Sequence, residues 1–188
     1  MQWINTKQSY GWLSVILHWL AAVSVIYLLW LGFQMDAAEE AHNRALHHSL
    51  EELHISFGVT VILILAARVF ASYAQPRPAA PEQAIPLKFL SVATHQLLLL
   101  LILTQIVTGP LMEWVGAHPI QVWDWFAIPS PFHERHRDWH EVLEAVHANT
   151  RWIFVIVITL HVLGALKHAM IDRDGIFRRM LIPGAQKN

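Results

Sequence analysis

The sequence predicts an all-α integral membrane protein, a bundle of four transmembrane helices with both termini in the cytoplasm. The composition is the first observation, since 55% of the 188 residues are hydrophobic and only 14% are charged. The second is a set of four apolar runs, each long enough to cross about 30 Å of hydrocarbon as a helix of about 20 residues. The runs lie at about 12–35, 53–73, 87–114 and 146–170.

The first and third runs need separate justification. The first run is longer than the apolar region of a cleaved signal peptide. No cleavage site of small residues follows a short apolar segment within it. We therefore interpret it as a retained helix. The third contains an unbroken apolar stretch at 97–103 and carries Gly109 and Pro110 near its end. Because such a helix offers no polar face to water, it excludes a soluble helical bundle.

The orientation is predicted from lysines and arginines, which favour the cytoplasmic ends of transmembrane helices. Four basic residues fall on the outer side: Arg44, Arg135, Arg137 and Arg151. Nine fall on the inner side: Lys7, Arg68, Arg77, Lys88, Lys167, Arg173, Arg178, Arg179 and Lys187. This asymmetry predicts a multi-pass membrane protein with cytoplasmic termini.

The connections fit one transmembrane domain covering residues 1–188. The inner connection at 76–81 is proline-rich, so that neither a helix nor a strand continues through it. The outer loop at 36–52 is acidic, and so is the longer outer loop at 115–145. Within the longer loop, Trp123, Trp125 and Phe126 suit a short amphipathic segment at the membrane interface.

The chain contains no cysteine. Iron–sulfur clusters, covalently attached haem, thiolate haem ligation and disulfides are therefore excluded. A haem bound to this chain would be held non-covalently, by histidine or methionine.

Four histidines in or at the ends of the apolar runs form a geometric pattern. His147 and His161 are 14 residues apart on the fourth helix, which is about 21 Å and close to four whole turns. Their imidazoles therefore share one face at two depths. His18 matches the depth of His161, and His54 matches that of His147. Ionisable residues inside the bilayer are costly and usually functional, and neutral imidazole is a common axial ligand of haem iron. We interpret the four as two ligand pairs; interhelical hydrogen bonding is the alternative.

Further residues at the inner depth are candidates for contacts with haem propionates or a quinone. His95 enters the third helix near the depth of His18, where it is either a neighbour of the inner cofactor or a competing ligand. Arg68, Lys167 and His168 lie near the inner surface, with ordinary snorkelling as the alternative for the two cations. We assign no catalytic residue.

The outer histidines form two groups, one at 42–48 and one at 133–140. His133, His136 and His140 have the i, i+3, i+7 spacing of one helical face, which could bind Zn²⁺ or Cu²⁺. Because a solvated polar face has the same spacing, the solvated face is the preferred interpretation.

The chain resembles the bacterial cytochrome b561 family over nearly its whole length. The resemblance rests on the order and spacing of several short motifs: His18-Trp19, His54-Ile55-Ser56-Phe57-Gly58 leading to Arg68, Thr94-His95-Gln96, Gly109-Pro110, His147, His161, Asp172-Arg173-Asp174 and Arg178-Arg179-Met180. The family consists of four-helix dihaem proteins of the inner membrane. The resemblance implies two b haems, with ligands that map onto His18 with His161 and His54 with His147.

The function implied is electron transfer between ubiquinone on the cytoplasmic side and a periplasmic donor or acceptor. Some members of the family are superoxide oxidases, so a superoxide:ubiquinone oxidoreductase is an alternative, in which Arg151 would attract the anion. A membrane anchor subunit of a periplasmic oxidoreductase is another possibility, and so is a haem-free metal-handling protein. The expected partners are lipid, quinone and a periplasmic redox partner, with no nucleic acid. A homodimer is left open.

Overall fold

The computed structural model describes residues 2–80 and 82–184, so that Pro81 and Lys187, both used in the sequence predictions, lie outside the described residues. The four long helices are α1, α2, α3 and α4, at Trp12–Glu40, Arg44–Ala74, Ile85–Val115 and Arg137–Lys167. Between α3 and α4 lies a two-stranded antiparallel hairpin, with β1 at Ile120–Val122 and β2 at Phe126–Ile128. After α4 come a π-helical turn at His168–Asp172 and the short helix α5 at Ile176–Arg179.

All four long helices are long and apolar enough to cross a membrane, which confirms the predicted membrane helical bundle. Polar turns extend α1 to Glu40, α2 back to Arg44 and α4 back to Arg137, whereas α4 ends at Lys167, three residues before the predicted end. At the start of α2, the Asn43 side chain caps the helix by accepting from the Leu46 backbone N–H at 3.1 Å. The loop predicted at 36–52 is consequently reduced to residues 41–43, and the one predicted at 115–145 ends before Arg137.

The bundle packs around apolar side chains contributed by all four helices. Helix α1 packs along α2, α3 packs along α4, and α2 also lies against α3. The shared core contains Ala21, Val61, Leu65, Leu101, Ile102, Phe154 and Val157. Large apolar side chains also cover the outside, among them Leu63 and Phe70. An outward apolar surface suits lipid, in which helices associate by close packing and interhelical hydrogen bonds.

One end of the bundle carries the first and last described residues of the chain and the described part of the connection between α2 and α3, and we call it the terminal end. Asn5 donates from its side chain to the Pro76 carbonyl at 3.2 Å. The Trp19 indole donates to the Met180 carbonyl at 2.7 Å, and buried Arg179 donates to the Ala79 carbonyl at 2.9 Å. The beginning, middle and end of the chain are thus joined at this end.

The opposite end carries residues 41–43 and the β1–β2 hairpin, and we call it the hairpin end. The backbone N–H of Trp123 donates to the Ser56 hydroxyl at 2.8 Å, and its indole donates to the Thr60 hydroxyl at 3.0 Å. The predicted amphipathic segment is therefore a hairpin bonded to α2, close to His54. Trp125 and Phe126 remain exposed.

Candidate functional site

The structure brings the four predicted histidines together as two pairs. The ring centroids of His18 and His161 are 6.0 Å apart at the terminal end. Those of His54 and His147 are 6.2 Å apart toward the hairpin end. Both pairs join α4 to a helix at the other side of the bundle.

The separations suit a metal ion bound between two imidazoles. Imidazole nitrogens bind zinc at about 2.0–2.1 Å, and two such rings on opposite sides of one ion would have centroids about 6 Å apart. Direct hydrogen bonding or stacking would bring two rings closer together. The donor chemistry of both pairs therefore fits a haem iron ligated by two imidazoles.

Hydrogen bonds fix the tautomer of His147. The Thr108 hydroxyl donates to the Thr104 carbonyl at 2.8 Å, so it accepts from Nδ1 of His147 at 2.9 Å. Nδ1 therefore carries the proton, and Nε2 keeps its lone pair for a ligand bond. A partner that fixes the far nitrogen in this way is typical of metal-binding histidines.

Gly109 gives the His147 ring its space. A Cβ atom at this position would lie 3.3 Å from Cε1 of His147, tighter than ordinary van der Waals contact. Since Pro110 follows directly inside α3, the segment combines close approach with a local loss of backbone hydrogen bonding.

His54 contacts the backbone of α1. Its Nδ1 is buried and lacks a hydrogen bond of ordinary geometry within the described residues, and the Leu28 backbone is the group that interacts with the imidazole. A backbone partner on one imidazole nitrogen leaves the other available for a ligand bond.

His95 lies on the side of His161. The two ring centroids are 5.1 Å apart at 89°, closer than either pair. His95 Nδ1 donates to the Ser91 carbonyl at 2.7 Å, which fixes the orientation of the ring. The short perpendicular approach leaves less space for an ion between His95 and His161 than between His18 and His161.

Arg68 is folded back on its own helix. Its guanidinium donates to the Ser72 hydroxyl, which in turn donates to the Arg68 carbonyl at 2.7 Å. The side chain is partly buried. The hydrogen bond to Ser72 thus holds the guanidinium in position, and its other N–H groups remain available to bind a ligand.

Lys167 and His168 already have acidic partners in the structure. Lys167 Nζ lies 2.6 and 2.8 Å from the two carboxylate oxygens of Asp172. His168 Nδ1 bonds to Asp174 at 2.7 Å, and its Nε2 faces the Gln83 amide at 3.1 Å. The sequence analysis named both aspartates only as part of a motif and did not predict these contacts. The π-helical turn that places them beside Lys167 and His168 has no clear sequence signal.

A cavity of about 460 Å³ adjoins this cluster at the terminal end. It is lined by Glu82, Gln83, Ala84, Leu87, Lys167, Asp172 and Asp174. The donor atoms of His168, Asp172 and Asp174 lie within 4.8 Å of one another. The Lys167 ammonium already offsets the charge of Asp172, so the cluster suits a polar organic group better than a cation.

The outer histidines differ from the prediction. Helix α4 begins at Arg137, so His133 and His136 precede it, and the predicted face formed with His140 is wrong. Because the residues before α4 are not helical, the i, i+3, i+7 spacing does not place the three histidines on one face. His140 instead approaches Glu144, with Nδ1 3.6 Å from its carboxylate.

Arg151 has a partner that the sequence did not reveal. Its guanidinium lies 2.5 Å from the Asp36 carboxylate on α1. It also stacks near the rings of Phe33 and Trp152, at 5.3 and 5.7 Å from their centroids. The pairing offsets the positive charge considered for attracting an anion.

Thr108→Val should weaken cofactor binding at His147 without removing a ligand. Valine keeps the shape of threonine but cannot accept the Nδ1 proton, and loss of such a partner typically lowers metal affinity about 10–100-fold. The measurement is haem retention on dilution, with Thr159→Val as control because that hydroxyl donates to the Val155 carbonyl of its own helix. Equal retention in both variants would refute a role for the hydrogen bond.

The fold and the paired histidines define a multi-pass membrane helical bundle whose sites suit haem iron. Comparison with known proteins agrees. Residues 9–183 match the family model for prokaryotic cytochrome b561, and the chain belongs to that family. It is therefore a membrane b-type cytochrome, an electron carrier.

Two relatives cover nearly the whole chain. Cytochrome b561 homolog 2 of Escherichia coli (strain K12) is 30% identical over 182 residues, 96% of this chain and 95% of the relative. The probable superoxide oxidase CybB of Yersinia pestis is 23% identical over 176 residues, 93% of this chain and 96% of the relative.

Proposed function

We propose that the chain holds two b-type haems and carries electrons across the bacterial inner membrane, between a ubiquinone site on the cytoplasmic side and a periplasmic donor or acceptor. His18 and His161 ligate one haem, and His54 and His147 ligate the other. The observation that supports this most strongly is the presence of two histidine pairs with nearly equal ring separations, one toward each end of α4.

A b-type haem supplies one-electron chemistry at its iron. The residues of the chain hold and orient it. His147 presents Nε2 because Thr108 takes its other proton. The apolar core shared by the four helices keeps water away from both pairs, and burial of this kind influences the redox potential of a metal centre.

The terminal end is cytoplasmic in this proposal. Its loops and helix ends carry most of the basic residues within the described part of the chain: Lys7, Arg77, Lys88, Lys167, Arg173, Arg178 and Arg179. This is the distribution expected for the inner side of a membrane protein. The hairpin end then faces the periplasm, where the redox partner binds.

The ubiquinone site lies beside the cavity at the terminal end. Quinone carbonyls accept hydrogen bonds, and the Gln83 amide, which lines the cavity, lies 3.1 Å from the His168 imidazole. Arg68 and His95 lie nearer the His18–His161 pair, where they would meet haem propionates. Lys167 contributes to the quinone site only if it releases Asp172.

The quinone site is tested by the reoxidation rate of dithionite-reduced protein with a short-chain ubiquinone. His168→Ala should slow reoxidation several-fold, since it removes the hydrogen bond that positions Gln83 at the cavity, while leaving the haem spectrum unchanged. His133→Ala, which changes a histidine in the loop before α4, serves as the matched control. An unchanged reoxidation rate in His168→Ala would contradict the proposed quinone site. The visible spectrum tests haem binding separately.

Superoxide oxidation is a second candidate, favoured by similarity to the protein named a probable superoxide oxidase. Arg151 is the cation nearest to the His54–His147 pair by sequence, one helical turn from His147. Arg151→Gln should slow reduction of the protein by superoxide several-fold, because the anion loses an attractive charge. Asp36→Asn removes the carboxylate that pairs with Arg151, so it should accelerate reduction by superoxide. Equal rates in wild type and both variants would exclude this route.

A further inference from the structure

We propose that Arg173 and Arg178 form a binding site for the phosphate group of an anionic phospholipid. The site is a cavity of about 220 Å³ at the terminal end, between the π-helical turn and α5. It is lined by His168, Ala169, Arg173, Gly175, Phe177 and Arg178. None of these residues lines the larger cavity proposed above for ubiquinone, so the two proposals are independent.

A reversal of the backbone brings the two arginines to one cavity. Arg173 follows the π-helical turn in a left-handed conformation, with φ of 50° and ψ of 35°, and Gly175 has φ of 78°. Helix α5 then packs against the π-helical turn, so that Arg178 lines the same cavity as Arg173. Left-handed geometry is unfavourable for a residue with a Cβ atom. An arginine held in it indicates a task for the side chain.

The acidic groups near the cavity are already paired. Asp172 and Asp174 are the two acidic residues that follow α4 in the sequence. Asp172 lies 2.6 Å from the Lys167 ammonium, and Asp174 lies 2.7 Å from Nδ1 of His168. Among the described residues, neither Arg173 nor Arg178 forms an ion pair. The cavity therefore has two cationic side chains whose charge the protein does not neutralise.

Both arginines have hydrogen-bond donors to spare. Arg173 donates from Nε to the Met170 carbonyl at 3.2 Å, and its two terminal nitrogens have no partner within the described residues. The exposed Arg178 side chain makes no hydrogen bond in the same part of the chain. A guanidinium group binds phosphate oxygens through two parallel N–H donors. The cavity volume is several times the roughly 30 Å³ of one water molecule, which admits a phosphate group.

Arg179 adds a third positive charge beside Arg178 in the sequence. Its side chain is buried, and its guanidinium donates to the Ala79 carbonyl at 2.9 Å. Its buried Nε has no partner among the described residues. Because a carbonyl carries no net charge, this contact holds α5 in place without neutralising Arg179. The charge raises the positive potential of the segment that borders the cavity.

The position of the cavity favours a lipid over free phosphate. The fourth candidate membrane span ends at Asp172, so Arg173 begins the segment that leaves the membrane. Met170 and Ile171, just before it, are 68% and 75% exposed. An acyl chain can cover these apolar side chains while its phosphate reaches the arginines. Basic pockets at the ends of transmembrane helices bind anionic headgroups in this way.

Native mass spectrometry of the purified, haem-loaded full chain in a neutral detergent tests the proposal. Wild type should bind one phosphatidylglycerol more tightly than it binds phosphatidylcholine. Arg173→Gly and Arg178→Gln should each weaken phosphatidylglycerol binding about fivefold, the effect of one basic residue near a lipid surface. Arg77→Gln and Lys88→Gln change exposed basic residues of the terminal end outside the cavity and should bind as wild type does.

Thermal unfolding separates binding from folding. Glycine adopts the left-handed conformation without strain, so Arg173→Gly should unfold at the wild-type temperature or above while it binds lipid more weakly. Wild-type affinity in both cavity variants would overturn the proposal, as would equal losses in the two controls. Inorganic phosphate should compete only in large excess over the lipid. Displacement at equal concentration would mean that the site binds free phosphate and would overturn the choice of lipid.

Discussion

His54→Ala and His147→Ala are each expected to lower the haem content of the purified protein from two per chain to one. His18→Ala and His161→Ala should have the same effect on the other haem. Removing one of two axial ligands leaves the iron held from one side only and opens a partly buried space that water enters. The measurement is a dithionite-minus-oxidised visible spectrum, with haem and iron quantified per chain.

The grouping of the losses is the decisive result. The spectrum remaining after His54→Ala should match that after His147→Ala, and differ from the one shared by His18→Ala and His161→Ala. His95→Ala is the internal control, because its ring lies against His161 yet belongs to neither proposed pair. Loss of a haem in His95→Ala would overturn the pairing, and absence of haem in the wild type would end the electron-transfer proposal.

Gly109→Leu is expected to remove one haem without altering any ligand. Its Cβ would already lie 3.3 Å from the His147 ring, and the remaining side-chain atoms need further space there. Overpacking forces neighbouring side chains out of their preferred positions. The spectrum should resemble that of His147→Ala, with the haem at His18 and His161 retained.

Two controls separate crowding from backbone strain. Gly32→Leu introduces the same side chain where a Cβ would meet nothing within 4 Å among the described residues, so both haems should remain. Because a side chain before proline disfavours helical geometry, Gly109→Leu is also combined with Pro110→Ala. Recovery of two haems in the double variant would show that strain, rather than contact with His147, caused the loss.

The four helices were predictable because a membrane-spanning helix is recognised from the apolar composition of about 20 consecutive residues, and one or two polar residues do not change that average. The depth of each histidine followed from the constant rise of a helix. The sequence therefore predicted which residues would meet, and the structure brings His18 to His161 and His54 to His147. Their role as haem ligands stays a prediction.

The parts that the sequence did not predict depend on short-range geometry or on distant partners. The hairpin strands have three residues each, too few for an alternation of polar and apolar residues to be recognised. The start of α4 at Arg137 left His133 and His136 outside the helix. The pairing of Arg151 with Asp36 joins opposite parts of the chain, and no local pattern reports it.

Helix α4 carries one histidine of each pair, and this has a consequence for how the sequence can vary. Because the rise and turn per residue of a helix are constant, the 14-residue interval from His147 to His161 fixes their separation and their shared face. Inserting one residue between them would turn one imidazole by about 100° and move it by about 1.5 Å along the axis. We expect homologues to preserve the length of this interval, while its residues other than the core positions Phe154 and Val157 vary.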